Sequence, residues 1–203
     1  MSFYYKVDDK IYSVNINALS LVKLFELAYK ENPLENISAD TALEIPLIKS
    51  QDDIITSKKY IDVIDAYIQY WSEKPKEVDY ISEDEKIQTG YPEQILKAFD
   101  LNLLKKFSDN TAPQNKDYET MYRTISSFQP LLKACSFLKV ECLLRKICAY
   151  CATFLYNTSL SHIGLLTNDP SFEVLTKEAE DEWIEENKST NRFKTKSCVT
   201  GNL

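Results

Sequence analysis

The sequence contains very little histidine and glycine: of its 203 residues, one is His and three are Gly. Ser-His-Asp catalysis, Cys-His catalysis and zinc sites built on several His would all depend on His162. The three glycines lie far apart, so the chain has no G-x-G-x-x-G motif and no Walker loop to surround a phosphate. We therefore predict neither a nucleotide-binding enzyme nor a multi-histidine metal site.

Positive charge is also scarce, because 24 Lys and Arg stand against 31 Asp and Glu, giving a net charge of −7. The basic residues are scattered, which makes nucleic acid a poor partner. No stretch of about eighteen uncharged apolar residues occurs, and the chain does not start like a signal peptide. We expect no nucleic-acid partner, no membrane partner and no secretory leader.

The cysteines are odd in number, which is typical of reduced thiols in a protein of the cytoplasm or the nucleus. Cys148 and Cys151 form a C-x-x-C pair, but they fall in mid-helix on an apolar stripe, so we interpret both as core residues. A zinc site would need two more ligands, and no ligand spacing supports one. We predict no metal and no cofactor. The five cysteines are Cys135, Cys142, Cys148, Cys151 and Cys198.

The remaining candidate catalytic groups are isolated from one another in the sequence. His162 is expected to be a surface or partner-contact residue on a short amphipathic helix. The acidic pairs Asp52-Asp53 and Asp181-Glu182 have no basic residue clustered with them, which is typical of solvated helix faces. We predict that the protein is not an enzyme; a thiol enzyme using Cys148 and Cys151 remains an alternative.

In the N-terminal part, the spacing of apolar residues changes between the two-residue period of a strand and the longer period of a helix. The first sixteen residues place apolar side chains at every second position on either side of a polar turn, which predicts a β-hairpin. After Asn17 the period becomes helical until Asn32-Pro33, and residues 43–47 form a short strand, at a sheet edge because it contains Pro46. The alternating apolar residues of the hairpin are Phe3, Tyr5, Val7, Tyr12, Val14 and Ile16.

The rest of the chain is dominated by helical spacing, with charged loops expected at residues 73–90 and 108–117. The strongest periodicity lies in residues 131–155, where two packed helices with a turn near Lys139 explain the pattern. The other predicted helices cover about residues 53–71, 92–107, 118–128 (a turn or two), 157–166 and 174–187.

The C-terminal acidic helix has two interpretations. Residues 171–187 hold seven acidic residues and one Lys, a net charge of −6. Such a helix is either simply solvated or binds a partner through its few apolar residues, for which Trp183 is a suitable anchor. Together with the apolar residues that precede it, Trp183 could form a groove for another protein's helix.

Five segments match one known family in order and spacing. They are Ile45-Pro46-Leu47 (the family's V-P-L), Ile68-Gln69-Tyr70-Trp71 (I-Q-W), residues 99–105 (W-D-x-x-F-L-K), residues 131–144 (L-I-L-A-A-N-Y-L-D-I-K-G-L-L) and residues 168–186 (N-D-F…N-Q-W-C-E-E). In these segments the chain resembles the Skp1 family, the adaptor subunits of cullin-based ubiquitin ligases. The continuation past the last of the paired helices is similar to Skp1-type proteins and unlike elongin C.

The resemblance implies an α+β, BTB/POZ-like fold: a small N-terminal sheet plus helices, with a C-terminal helical extension. The expected parts are a domain at residues 1–157 with an insertion at about 106–122, helices that bind an F-box-type protein at 158–188, and a basic, disordered tail at 189–203. The residues expected to contact the F-box-type partner are Ile163, Leu165, Leu166, Phe172, Val174, Trp183 and Ile184.

The resemblance also implies a cullin-facing surface, and here the chain departs from the family. Ser136 and Phe137 stand where the family has an Asn-Tyr pair that contributes to cullin contact, so an amide and a hydroxyl are lost. The insertion lies on the same side. Two functions stay open: an adaptor in ubiquitin-dependent protein catabolism, and a structural subunit of a larger assembly that keeps the partner groove but has lost cullin binding.

Overall fold

A computed structural model of the chain describes residues 2–31, 39–50, 53–82, 87–108 and 118–156. The chain divides into two units, Met1–Asn157 and Thr158–Leu203. The described residues all belong to the first unit, so the predicted domain boundaries, the insertion and the disordered tail stay predictions.

The predicted hairpin is confirmed. Strands β1 (Ser2–Val7) and β2 (Lys10–Asn15) pair antiparallel, and Tyr5 lies opposite Tyr12. Asp8 opens the turn between them with a φ of 54°, a conformation that Asp tolerates better than most residues. The alternation places Phe3, Tyr5 and Val7 in the core, because successive side chains of a strand point to opposite faces.

The strand predicted at residues 43–47 is confirmed in part, as β3 (Leu43–Ile45). It pairs parallel to β1, which gives the strand order β2-β1-β3 and places β3 at the edge of this sheet. Pro46, which has no backbone N–H to donate, lies just outside it. A second, two-residue pair that the pattern did not predict joins β4 (Lys49–Ser50) to β5 (Asp53–Ile54).

Each of the first two helices is preceded by a turn. A 3₁₀ turn at Ile16–Ser20 leads into α1 (Lys23–Glu31). The prediction that the next helix begins near Asp53 was wrong, because α2 spans Lys58–Ser72. The residues before α2 are used in a turn, in which the Thr56 hydroxyl accepts from the N–H of Ile48 at 2.8 Å and donates to the carbonyl of Pro46 at 2.8 Å.

The C-terminal helices of the described residues agree closely with the prediction. The exception is the helix expected over 92–107, which divides into a 3₁₀ turn at Pro92–Gln94 and α3. A turn at Lys139 separates the strongly periodic pair of helices, as predicted. The four helices are α3 (Ala98–Ser108), α4 (Tyr118–Ser127), α5 (Gln129–Leu138) and α6 (Glu141–Leu155).

One continuous core joins the sheet to these helices. Tyr5 stacks on Tyr12 with ring centroids 4.9 Å apart, and Phe25 of α1 packs against both Phe3 and Tyr5. On the other side of α2, Trp71 meets the residues of α3 and α6. The arrangement confirms the α+β class, a small three-stranded sheet followed by helices.

The segment after α2 lies along α6. It was predicted as a charged loop, and among its described residues it forms no strand and only a 3₁₀ turn at Pro75–Glu77. The Sγ of Cys142 donates to the carbonyl of Asp79 at 3.2 Å, and Arg145 donates to the carbonyl of Ile81 at 3.3 Å. We call residues 78–82 the strap, because these contacts hold its backbone against α6.

Candidate partner-binding surface on helices α4 and α5

Helix α5 places the predicted cullin-facing pair at the protein surface. Its core side is Leu131, Ala134, Cys135 and Leu138, all buried, which is the spacing of one face of a helix. Ser136 falls away from that face and is exposed, whereas Phe137 is half-buried and packs against the core. A partner can therefore reach the hydroxyl of Ser136 and part of the Phe137 ring.

The end of α5 is fixed by its backbone. Lys139 adopts the left-handed conformation with a φ of 59° and a ψ of 45°. Its N–H donates to the carbonyl of Ser136 at 3.3 Å, and the N–H of Val140 donates to that of Cys135 at 2.9 Å, a Schellman-type ending. The carbonyl of Lys139 accepts from the N–H of Lys23 at 3.2 Å, so the start of α1 holds the same turn.

This region is positively charged although the chain is acidic. Residues 120–140 contain three basic residues and no acidic one, so they carry a net charge of +3 in a chain of −7. Helix α4 packs against α5 and exposes a Tyr and an Arg. We use the name α4–α5 surface for the exposed or half-buried residues that these two helices and the turn after them offer to a partner: Tyr122, Arg123, Lys133, Ser136, Phe137 and Lys139. Its chemistry suits an acidic partner surface with an apolar contact.

A buried charged cluster joins α2, α3 and α6. The Nζ of Lys146 on α6 lies 2.6 Å from the Oδ2 of Asp100 on α3, and the indole N–H of Trp71 on α2 donates to the Oδ1 of Asp100 at 2.8 Å. The ammonium also lies 4.6 Å from the centroid of the Trp71 ring. Both oxygens of the buried carboxylate thus have a donor, and three helices meet at one point.

Sequence reasoning noticed the segment around Asp100 but missed Lys146. Lys146 lies between Leu143 and Tyr150 at helical spacing, so the sequence places a Lys on the apolar stripe of α6. A buried Lys needs a partner of opposite charge. The sequence therefore indicates a Lys within the apolar, core-facing stripe of α6. It does not identify the acidic residue that pairs with this Lys.

The thiols differ from the prediction in one respect. Cys148 is exposed, so its assignment to the core was wrong, whereas Cys151 is buried as predicted and Cys142 is buried as well. Cys148 lies two residues from both Lys146 and Tyr150, about 200° around the helix from the core side. Burial raises the pKa of the Cys151 thiol to about 12 and that of the Cys142 thiol above the ordinary value. Neighbouring atoms shield the thiol of Cys148 from part of the solvent, which raises its pKa as well.

These raised pKa values favour the neutral thiol over the thiolate. No group of three or more His, Cys, Asp or Glu residues among the described residues could hold a metal ion.

The proposed F-box-facing residues lie outside the described residues, and so do His162 and Asp181-Glu182. Their roles stay predictions. The residues concerned are Ile163, Leu165, Leu166, Phe172, Val174, Trp183 and Ile184.

The chain was compared with profiles of known protein families and with curated protein sequences, and neither comparison found a match. Within the described part of the chain, no helix is both long and apolar enough to cross a membrane.

Proposed function

We propose that the chain is a Skp1-like adaptor. Its C-terminal helices would bind an F-box-type protein, with Trp183 as the anchor, and its α4–α5 surface would contact a cullin. Such a protein needs no active site, because holding substrate and ligase together raises their effective concentration. The proposal places it in the cytoplasm or nucleus, whose reducing conditions suit the free thiols Cys135, Cys142, Cys148 and Cys151.

The observation that carries the proposal is the geometry of residues 131–144. Where these residues resemble the family, the apolar positions Leu131, Leu138 and Leu143 are buried, and the position of the family's contact pair reaches the surface. A turn at Lys139 joins the two helices. Burial of Ser136 and Phe137 inside the core would have removed this support for the proposal.

The alternative function is a structural subunit that keeps the F-box-type groove and has lost the cullin. The replacement of the family's Asn-Tyr by Ser136-Phe137 favours it, because an amide and a hydroxyl able to form hydrogen bonds are absent. The choice between the two functions therefore depends on the exposed side chain at position 136 and on the para position of the ring at position 137. Variants at these two positions can restore the family's hydrogen-bonding groups or block partner binding.

The test measures binding of the purified full-length chain to a purified cullin N-terminal domain by isothermal titration calorimetry. The double variant Ser136→Asn/Phe137→Tyr restores the family pair and should raise the affinity about tenfold, equivalent to one or two hydrogen bonds. Ser136→Glu should abolish binding, since it adds an acid to a basic, partner-facing surface. Ser136 is exposed, so the substitutions at this position do not disturb the core.

The matched control is Ser20→Glu, which adds the same charge at another exposed serine near the start of α1 and should leave the affinity unchanged. Absence of binding by both the native chain and the restored variant would rule out the cullin arm and favour the structural subunit.

A further inference from the structure

The strap is held against α6 by its backbone and leaves one aromatic side chain in solvent. The Sγ of Cys142 donates to the carbonyl of Asp79 at 3.2 Å, and Arg145 donates to the carbonyl of Ile81 at 3.3 Å. The Ile81 side chain packs against the core. Tyr80, between these contacts, is 66% exposed, the largest value among the exposed large apolar and aromatic side chains of the described residues. The Tyr80 ring is therefore accessible to an enzyme while the strap stays in place.

The residues on either side of Tyr80 select a class of modifying enzyme, and all of them are described. Asp79 and Glu77, both exposed, precede Tyr80 by one and three positions, and the apolar Ile81 follows it. Tyr80 is the only one of the 13 tyrosines with an acidic residue at both preceding positions. A tyrosine kinase whose substrate groove is basic would bind these acids by charge complementarity, whereas a kinase that requires Arg or Lys there would be repelled.

A second tyrosine separates the effect of exposure from that of the acidic residues. Tyr91 is 63% exposed, close to the 66% of Tyr80, and it also lies outside the helices and strands. Gly90 and Gln88 stand one and three positions before Tyr91, so it lacks the acidic residues. An enzyme that requires only an accessible ring would modify both tyrosines, whereas one that binds the acids would modify Tyr80.

We propose that Tyr80 is the phosphoacceptor of an acidic-directed tyrosine kinase. In the reaction the Oη of Tyr80 forms a bond to the γ-phosphorus of ATP, and the bond from that phosphorus to the oxygen it shares with the β-phosphate breaks. The phenolic proton passes to the kinase's catalytic carboxylate, leaving phosphotyrosine and ADP. The phosphate adds a charge of about −1.5 to −2 to the exposed side of the strap. The proposal is independent of the adaptor function.

The acceptor is tested by incubating the full-length chain with Mg-ATP and the kinase domain of the epidermal growth factor receptor, an acidic-directed tyrosine kinase. Peptide mapping by mass spectrometry should find Tyr80 phosphorylated first, and Tyr80→Phe should lose this phosphate. The matched control Tyr91→Phe removes the other highly exposed tyrosine and should keep the native initial rate. No phosphate on Tyr80, or equal initial rates at Tyr80 and Tyr91, would overturn the assignment.

The role of the acids is tested by Glu77→Gln/Asp79→Asn, which removes both charges and keeps the side-chain sizes. This variant should lower the initial rate at Tyr80 about tenfold, because the kinase loses the charges that bind the segment. The control Asp9→Asn/Glu93→Gln removes two exposed acids outside the strap and should keep the native rate. Circular dichroism checks that both variants are folded. An unchanged rate in the folded Glu77→Gln/Asp79→Asn chain would contradict recognition through the acids.

Discussion

At the scale of single residues, we expect the loss of a buried charged partner to lower the free energy of unfolding more than the loss of a partly exposed one. Lys146 and Asp100 are both buried, whereas the Lys10–Asp62 pair, at the same distance of 2.6 Å, is partly exposed. Water screens the second pair and cannot reach the first. The two pairs therefore offer a direct comparison within one chain.

We predict that Asp100→Ala lowers the free energy of unfolding by about 3–5 kcal/mol, because it leaves the Lys146 ammonium buried without a counter-charge. Asp100→Leu/Lys146→Met removes both charges and should cost less than either single change. Lys10→Ala is the control, with an expected loss of at most about 1 kcal/mol. Urea unfolding measures all three, and a loss below about 1 kcal/mol for Asp100→Ala would show that the pair is not buried as described.

Two aspartates on α2 should respond to pH in opposite ways. At Asp62 burial raises the pKa, but hydrogen bonds from Lys10 and Tyr12 outweigh it and hold the pKa below the ordinary value. At Asp65 burial dominates and raises the pKa, although the hydroxyl of Tyr5 donates to it at 2.8 Å and Gln69 and Lys10 also lower it. Folding thus favours the charged form of Asp62 and the neutral form of Asp65.

The raised pKa of Asp65 means that the contribution of this residue to stability is fully present below the unfolded pKa of about 3.9 and is lost as pH rises through the folded value. Asp65→Asn removes that decline, so its stability relative to the native chain should increase between pH 4 and pH 7. Asp62→Asn should show the reverse, a deficit that is fully present above about pH 4 and disappears as pH falls through the lowered pKa of Asp62. Chemical unfolding at several pH values checks both signs, and parallel curves for the two variants would refute the assignment.

The thiols should differ in reactivity according to exposure. In a Cys198→Ser chain, a maleimide should label Cys148 first, while Cys135, Cys142 and Cys151 react at least about a hundredfold more slowly because burial limits access and raises their pKa values. Peptide mapping identifies the site. Initial labelling of Cys151 would mean that the helix face is assigned incorrectly.

At the scale of elements, long periodic segments were predictable and short turns were not. The hairpin and the α5–α6 pair follow from side-chain spacing alone. The start of α2 could not be predicted in this way. Residues 53–56 form hydrogen bonds in a turn with Pro46 and Ile48, and side-chain periodicity does not reveal such a turn. The contact of Cys142 with the strap, which is distant in sequence, could not be predicted from spacing either.

The candidate surface was predictable only through the family resemblance. Spacing places Ser136 away from the core side of α5, but nothing in it indicates a partner. The meeting of Asp100 with Lys146 and the position of Arg145 beside the strap required the three-dimensional structure, since each joins residues far apart in the chain.

The turn between α5 and α6 gives a prediction at the same scale. Lys139 holds a left-handed conformation that costs a side-chain-bearing residue about 1–2 kcal/mol, so Lys139→Gly should raise the free energy of unfolding by about 1 kcal/mol. Lys133→Gly, inside α5, should lower it by about 1 kcal/mol. Thermal unfolding compares the two. A loss of stability in Lys139→Gly would contradict the left-handed turn.

At the scale of the whole molecule, charge is distributed unevenly. Residues 171–187 carry −6 of the net −7, while residues 120–140 carry +3. The two proposed partner-binding regions thus have opposite charge, which would direct two different partners to two different places on the chain. An adaptor has to bind two partners at separate places, whereas a subunit with one partner does not.

The most direct measurement of the adaptor proposal is affinity capture of the tagged full-length chain from cells, with quantitative mass spectrometry of native, Trp183→Ala and Ser136→Glu chains. We predict that the native chain recovers F-box proteins together with a cullin. Trp183→Ala should lose the F-box proteins at least tenfold and Ser136→Glu the cullin, so that each variant controls for the other. Reproducible recovery of one F-box-type partner without any cullin, or losses that do not separate between the two variants, would contradict the adaptor.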